Sequence, residues 1–355
     1  MYHTPLKDDL KHILSHTLKL WEKLKNNRIF ITGGTGYFGC WLLESLLWAN
    51  NKLNLNTKLV VLTRDVDAFI KKEPHLSTNK AISFHEGDVR NFSFPSGQFS
   101  DVIHAATAAS KELNDNQPTV MYDTILNGTM RTLEFAKDKG VKRFLFTSSG
   151  AVYGIQPSDI SHMPESYVLS AGPDDPTSAY GMAKLAAEHL CILYSRKYKI
   201  ETKIARCYAQ VGPHLPLDIH FAMGNFIRDG MKGGPIIVNG NGTPKRSYLY
   251  ASDLMIWLWT ILLKGKSCRP YNVGSENAIS ISDLAQCVAE ILSSDIEVLI
   301  RQPTNPSDEI EQYVPSTQRA QSELDLLETV DLVQGIKRTI MWNKMIINSS
   351  VLSES

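Results

Sequence analysis

Tyr180 and Lys184 stand four residues apart in Tyr180-Gly-Met-Ala-Lys184, a spacing that puts both side chains on one face of a helix. There the ammonium can lower the phenol from its ordinary value of about 10, so that a phenolate becomes a usable base. Upstream, Arg143-Phe-Leu-Phe146 reads as a strand that runs into Thr147-Ser148-Ser149-Gly150. Ser149 then sits at a strand end, placed to donate a hydrogen bond to the oxygen that Tyr180 deprotonates. The three groups fit proton transfer at a hydroxyl, coupled to hydride transfer at its carbon. A packed tyrosine beside an exposed lysine is the plainer reading of Tyr-x-x-x-Lys alone, but the rest of the chain argues against it.

That context begins at Arg28-Ile-Phe-Ile-Thr-Gly33-Gly34-Thr35-Gly36-Tyr37-Phe38-Gly39. Ile29 to Ile31 suit a buried parallel strand, and Cys40 to Trp48 continue as an apolar helical segment. In Gly33-x-x-Gly36-x-x-Gly39 the first glycine permits a tight turn, the second lets backbone approach a pyrophosphate, and the third lets helix pack on strand. The free N–H groups of the helix start would hold the pyrophosphate, with Thr35, Tyr37 and Phe38 beside it.

Further strand ends follow. Lys58 to Leu62 lead into Thr63-Arg64-Asp65, where a dinucleotide's adenosine ribose is read. An acidic residue there favours NAD, and an arginine can pair with the 2′-phosphate of NADP, so NADP is favoured over NAD, with Asp65 as the alternative ribose contact. Ile82 to Phe84 precede Gly87-Asp88-Val89, where Asp88 can accept from the adenine amino group. Asp101 to His104 end in Ala105-Ala106-Thr107, small residues that allow close backbone approach. With a helix expected at about Val120 to Gly140, the alternation predicts an α/β fold with a doubly wound parallel sheet. Ahead of it, Leu10, Ile13, Leu14, Thr17, Leu18, Trp21 and Leu24 recur at helical spacing over residues 8–25 and predict an amphipathic helix packed on the fold.

Composition narrows the classes. The 355 residues are 43% hydrophobic and 21% charged, with 37 basic against 37 acidic side chains. No global field would draw nucleic acid or an anionic membrane. The five cysteines form no Cys-x-x-Cys pair, so neither zinc nor a disulfide framework is expected. Neither a signal peptide nor a long apolar run stands out, and the expected location is the cytoplasm.

With Gly87-Asp88, His104-Ala-Ala106, Asn127-Gly-Thr129 and Val152-Tyr-Gly154 added, the chain resembles the extended short-chain dehydrogenase/reductases that modify nucleotide sugars, the NAD-dependent epimerases and dehydratases. The resemblance runs from about Arg28 to Trp342 and takes in Gly224-Asn225-Phe-Ile227, Gly240 to Asp253 and Tyr271-Asn-Val-Gly274. It implies a Rossmann-type fold with a smaller C-terminal substrate domain. The expected divisions are a helical extension (1–27), a dinucleotide domain (28–206), a sugar-nucleotide domain (207–345, with parts of 246–275 returning to the first) and a tail (346–355). Catalysis is assigned to Ser149, Tyr180 and Lys184. Cofactor contacts are assigned to Gly33, Thr35, Gly36, Tyr37, Phe38, Gly39, Thr63, Arg64, Asp88, Val89, Ala105, Ala106, Thr107, Thr147, Tyr180 and Lys184, and substrate contacts to Ser110, Ser149, Gly150, Tyr180, Asn225, Arg246 and Asp308.

Three departures from the family pattern matter. The 4,6-dehydratases carry an acidic pair directly after the residue matching Ser149, and here Gly150 and Ala151 stand there. The epimerases' asparagine after the arginine matching Arg206 is Ala209, followed by Gln210. The segment Gly212 to Gly224 is unusual, and its His214 and His220 receive no role. The expected reaction is hydride transfer at C4 of a nucleotide-linked hexose, as a 4-epimerase or 4-ketoreductase. An atypical 4,6-dehydratase and a non-catalytic NADP-binding regulator are the alternatives. The resemblance also implies a homodimer, paired through the helices at about Val120 to Gly140 and Ser178 to Tyr198, the second presenting Leu185, Glu188, His189, Ile192 and Arg196.

Overall fold

The computed structural model describes residues 6–107, 111–168, 175–218, 222–305 and 309–354. Its strands are β1 (Arg28–Thr32), β2 (Lys58–Thr63), β3 (Ile82–Glu86), β4 (Asp101–His104), β5 (Arg143–Ser149), β6 (Glu201–Cys207), β7 (Gln210–Val211), β8 (Ile236–Val238), β9 (Lys245–Arg246), β10 (Leu249–Tyr250), β11 (Pro270–Val273), β12 (Ile279–Ser280), β13 (Val298–Ile300) and β14 (Gln312–Tyr313). Seven of them make one parallel sheet in the order β11-β6-β5-β4-β1-β2-β3. The order reverses at β1, between β2 and β4, and the carboxyl ends beside such a reversal form the crevice in which open α/β sheets bind ligands.

The strands are short and continuously apolar because both faces are covered. On one face Trp41, Leu43 and Leu46 of the helix Tyr37–Leu53 pack with Leu254, Trp257 and Trp259 of the helix Ala251–Lys264. On the other, Leu133 and Phe135 of the helix Pro118–Asp138 pack with Ala183, Ala187 and Cys191 of the helix Ala179–Tyr198.

The N-terminal stretch packs on the first face as expected, but it is not one helix. An α-helix over Lys7–Thr17 gives way to a 3-10 turn over Leu18–Leu24. The tighter winding turns Leu20, Trp21 and Leu24 into the core and leaves Leu18 53% exposed. Trp21 meets Trp259 with ring centroids 5.0 Å apart, and each buried side chain of this kind contributes about 1.5–3 kcal/mol. Asp9 accepts from Tyr250 at 2.7 Å and pairs with Arg338 at 2.6 Å. The extension is thereby tied to β10 and to the C-terminal helix Leu332–Glu354, which runs on through the stretch expected to be a tail.

Small sheets carry the remainder. β9 lies between β12 and β14, and the register pairs Tyr313 with Arg246. The pairing sets one substrate-side arginine beside one tyrosine. Among the described residues no helix is long and apolar enough to cross a membrane.

Candidate active site

A cleft of about 1540 Å³ opens over the carboxyl ends of the strands, and its walls include Gly36, Arg64, Ser149, Tyr180, Lys184 and Arg246. Gly33 has φ +71°, and a Cβ on it would lie 2.5 Å from the Ala105 carbonyl carbon and the Ala106 nitrogen. Only glycine fits that turn. A Cβ on Gly39 would lie 2.2 Å from Gly34, so this glycine sets the helix against the turn and stands behind the cleft wall. Gly36 is exposed to the cleft at the start of the helix Tyr37–Leu53, with unpaired backbone N–H groups behind it. The cradle therefore suits the pyrophosphate of a dinucleotide. Thr35, Tyr37, Phe38, Thr63, Val89, Ala105, Ala106, Thr107 and Thr147 line the same cleft.

The floor is pinned by His104. Its Nδ1 lies 2.6 Å from Thr32 Oγ1 and its Nε2 3.0 Å from Thr129 Oγ1, while its carbonyl accepts from Thr147 Oγ1 at 3.2 Å. Burial pushes this imidazole down to about 3, with the Lys184 charge adding to the effect, so it stays neutral and serves as a hydrogen-bond tie.

At the adenosine end the assignments need amendment. Asp65 caps the helix Val66–Lys72 by accepting from Ala68 N at 2.8 Å through one carboxylate oxygen, and it lines the cleft beside Arg64. Asp88 accepts from Arg90 Nε at 2.9 Å and Nη2 at 3.0 Å, and Arg90 also reaches Asp123 at 3.2 Å. The guanidinium fork holds the Asp88 carboxyl below the usual range. Arg90 lines the cleft in the same wall as Arg64 and was not singled out from sequence.

Ser149, Tyr180 and Lys184, the three residues expected to carry the chemistry, converge on the cleft. Lys184 Nζ donates to the Thr147 carbonyl at 2.8 Å and lies 5.9 Å from the Tyr180 ring centroid. Burial pushes the ammonium down to about 8. The expected lowering of the Tyr180 phenol is not found. Loss of water pushes it up, while the Ser149 and Thr107 hydroxyls beside it pull the other way. The lysine charge is turned toward a carbonyl and so does little for the phenol directly.

Two residues expected to contact substrate stand off the cleft wall. Asn225 does not line the cleft; its carboxamide oxygen accepts from Arg228 Nη1 at 3.0 Å, one helical turn on. Gly150 lies behind the wall, where a Cβ would meet Tyr208 Cζ at 2.5 Å and the Tyr313 hydroxyl at 2.7 Å. Its role is to admit these two rings. Ser110 and Asp308 lie outside the described residues, as does His220. Arg246 faces the cleft as expected and is held by Glu311.

On the catalytic helix Glu188 is turned inward, against the expectation that it belongs to an outer face. It accepts from Ser148 Oγ at 2.6 Å and pairs with buried Arg206. Leu185 also packs inward, on the group formed by Val152, Tyr153, Met163 and Tyr208. His214 is buried and bonds Glu73 through Nδ1 at 2.9 Å, fixing the loop after β7 against the segment after the helix Val66–Lys72.

A family model described as "NAD dependent epimerase/dehydratase family" matches residues 29–274. UDP-glucuronic acid decarboxylase 6 of Arabidopsis thaliana is 30% identical over 315 residues, which cover 88% of this chain and 87% of that one. UDP-glucuronic acid decarboxylase 3 of the same plant is 31% identical over the same coverage. Among solved structures, a UDP-glucose 4-epimerase of Thermotoga maritima superposes with a TM-score of 0.75 at 22% identity, covering 90% of this chain and 99% of that one. The UDP-glucuronic acid 4-epimerase of Bacillus cereus, in complex with UDP-glucuronic acid and NAD, gives the same TM-score, identity and coverage.

Proposed function

This chain belongs to the NAD dependent epimerase/dehydratase family of enzymes, and from that premise we propose that it oxidises and re-reduces C4 of a UDP-linked hexose or hexuronate through a 4-keto sugar. What carries the reading is that Ser149, Tyr180, Lys184 and Arg246 open into the same cleft as the glycine cradle.

NAD, when bound, supplies the hydride acceptor and donor. The chain's own groups do the rest. Gly33 and Gly36 let the backbone cradle the pyrophosphate, and Lys184, anchored on the Thr147 carbonyl, orients the nicotinamide ribose. Arg246 pairs with the diphosphate of the sugar nucleotide. Tyr180 exchanges the O4 proton as C4 gives up its hydride, and Ser149 donates a hydrogen bond to the same oxygen. Return of the hydride to the opposite face gives a 4-epimer.

A second outcome is favoured by the decarboxylase relatives. A 4-keto hexuronate is a β-keto acid, which loses CO2 without a further base. The enolate so formed takes a proton at C5, and return of the hydride to C4 with the Tyr180 proton to O4 then gives a UDP-pentose. We also infer a homodimer, paired through the helices Pro118–Asp138 and Ala179–Tyr198, whose outer faces expose Val120, Tyr122, Met130 and Leu193.

The test is product analysis by mass and proton NMR with UDP-glucose, UDP-galactose and UDP-glucuronate, with NAD present. A C4 epimer or a UDP-pentose supports the reading. Absence of both a C4 epimer and a UDP-pentose with all three sugars overturns it.

A further inference from the structure

Tyr313 belongs to the two-residue strand β14, and its phenol oxygen stands 3.4 Å from Ser149 Oγ. The segment is held from both sides. β14 pairs with β9 on one side, while Val314 N donates to Gln156 Oε1 at 2.9 Å and Met163 N to the Val314 carbonyl at 2.9 Å on the other. The Tyr208 ring backs Tyr313, with centroids 4.5 Å apart. Gly150 clears the space, since any side chain there would strike the Tyr208 ring and the Tyr313 hydroxyl.

Either hydroxyl of this contact can donate, and the two directions leave Ser149 with different hydrogens to give. A serine oxygen has one hydrogen to give and two lone pairs to fill. Ser149 Oγ already accepts from Ala151 N at 3.2 Å. If the Tyr313 hydroxyl donates into the second lone pair, the serine hydrogen is left for the Tyr180 oxygen beside it and for a substrate oxygen bound at that point of the cleft. We propose that Tyr313 is a positioning residue: its hydroxyl donates to Ser149 and so commits Ser149 as a donor to the substrate oxygen that Tyr180 deprotonates. At 3.4 Å the contact is long, and catalytic hydrogen bonds tighten when substrate closes the site. The proposal rests on the C4 reading for its substrate oxygen, and on geometry alone for the Ser149 rotamer.

Tyr313→Phe tests both parts, because it keeps the ring stacked on Tyr208 and removes only the donor. Crystal structures of wild type and variant come first. The variant is expected to lose the single Ser149 rotamer that faces Tyr313, and an unchanged rotamer at full occupancy overturns the positioning role whatever the substrate is. Steady-state rates on the UDP sugar that wild type converts come second. The expected result is a kcat lower by about tenfold or more, with KM and NAD affinity held within about twofold, since one hydrogen-bond donor to the reacting oxygen is lost. A kcat equal to wild type overturns the proposal, as does a drop confined to KM. If wild type converts none of the three UDP sugars, the C4 reading fails, and the crystal structures alone decide Tyr313.

Discussion

Glu188 and Arg206 meet through three hydrogen bonds, Nε to Oε1 at 2.9 Å, Nε to Oε2 at 3.3 Å and Nη2 to Oε2 at 2.7 Å, with side chains 5% and 9% exposed. Glu188 lies one turn beyond Lys184 on the catalytic helix, and Arg206 lies on β6. The pair locks that helix onto the sheet, and Ser148 on β5 completes the tie. Removing one member leaves the other charge buried and unpaired. Glu188→Ala should therefore cost about 3–5 kcal/mol of stability, read from urea unfolding. A loss below about 1 kcal/mol would mean that Arg206 finds another partner.

Arg64 lines the cleft at the end of β2, and Asp65 is committed to capping the next helix. The 2′-phosphate of NADP would therefore find a guanidinium at that turn, beside a carboxylate already engaged through one oxygen. Calorimetric titration of Arg64→Ala should show NADP affinity falling by about tenfold or more while NAD affinity changes little. Equal losses for the two would make Arg64 a surface residue.

Glu323 joins the helix Gln318–Leu324 to β11, accepting from Arg269 Nε at 3.0 Å and from the Tyr271 hydroxyl at 3.0 Å. The Arg269 guanidinium holds its carboxyl down to about 2. A depressed carboxyl contributes stability that is present above its ordinary value of about 4.5 and lost as pH falls toward about 2. In acid titrations of stability, Glu323→Gln should be less stable than wild type near pH 7, with the gap closing over that window. A gap that stays constant with pH would contradict the pairing.

For assembly, light scattering should report a dimer for wild type and a monomer for Ile192→Asp. The charge would fall on the partly exposed flank of the helix Ala179–Tyr198, next to exposed Leu193. A dimeric variant would move the interface elsewhere.

Much of the site was legible because its signals are local. Gly33 and Gly39 are glycines because backbone comes within 2.5 Å of where their Cβ would be, and their spacing encodes that approach. Tyr180 and Lys184 share a helix face by arithmetic alone. Tyr313 was not legible, since it reaches Ser149 across 164 residues from a strand of two. Glu188 was misplaced because helical periodicity describes faces without saying which is covered. Asn225 stands off the cleft wall, and Arg228, three residues on, takes its oxygen. Thr17–Leu18, where α-helix becomes 3-10, carries no proline or glycine to mark the change.

The central claim is hydride transfer at C4 with Tyr180 handling the proton, and isotope transfer tests it most directly. UDP-glucose and UDP-glucuronate deuterated at C4 are incubated with the NAD-loaded enzyme, and the nicotinamide is recovered under acid quench for mass analysis. Wild type should place deuterium on the nicotinamide, and Tyr180→Phe should slow that transfer by about a hundredfold or more while still binding NAD. Deuterium that never leaves C4 in wild type, or that transfers equally fast in Tyr180→Phe, would contradict the account.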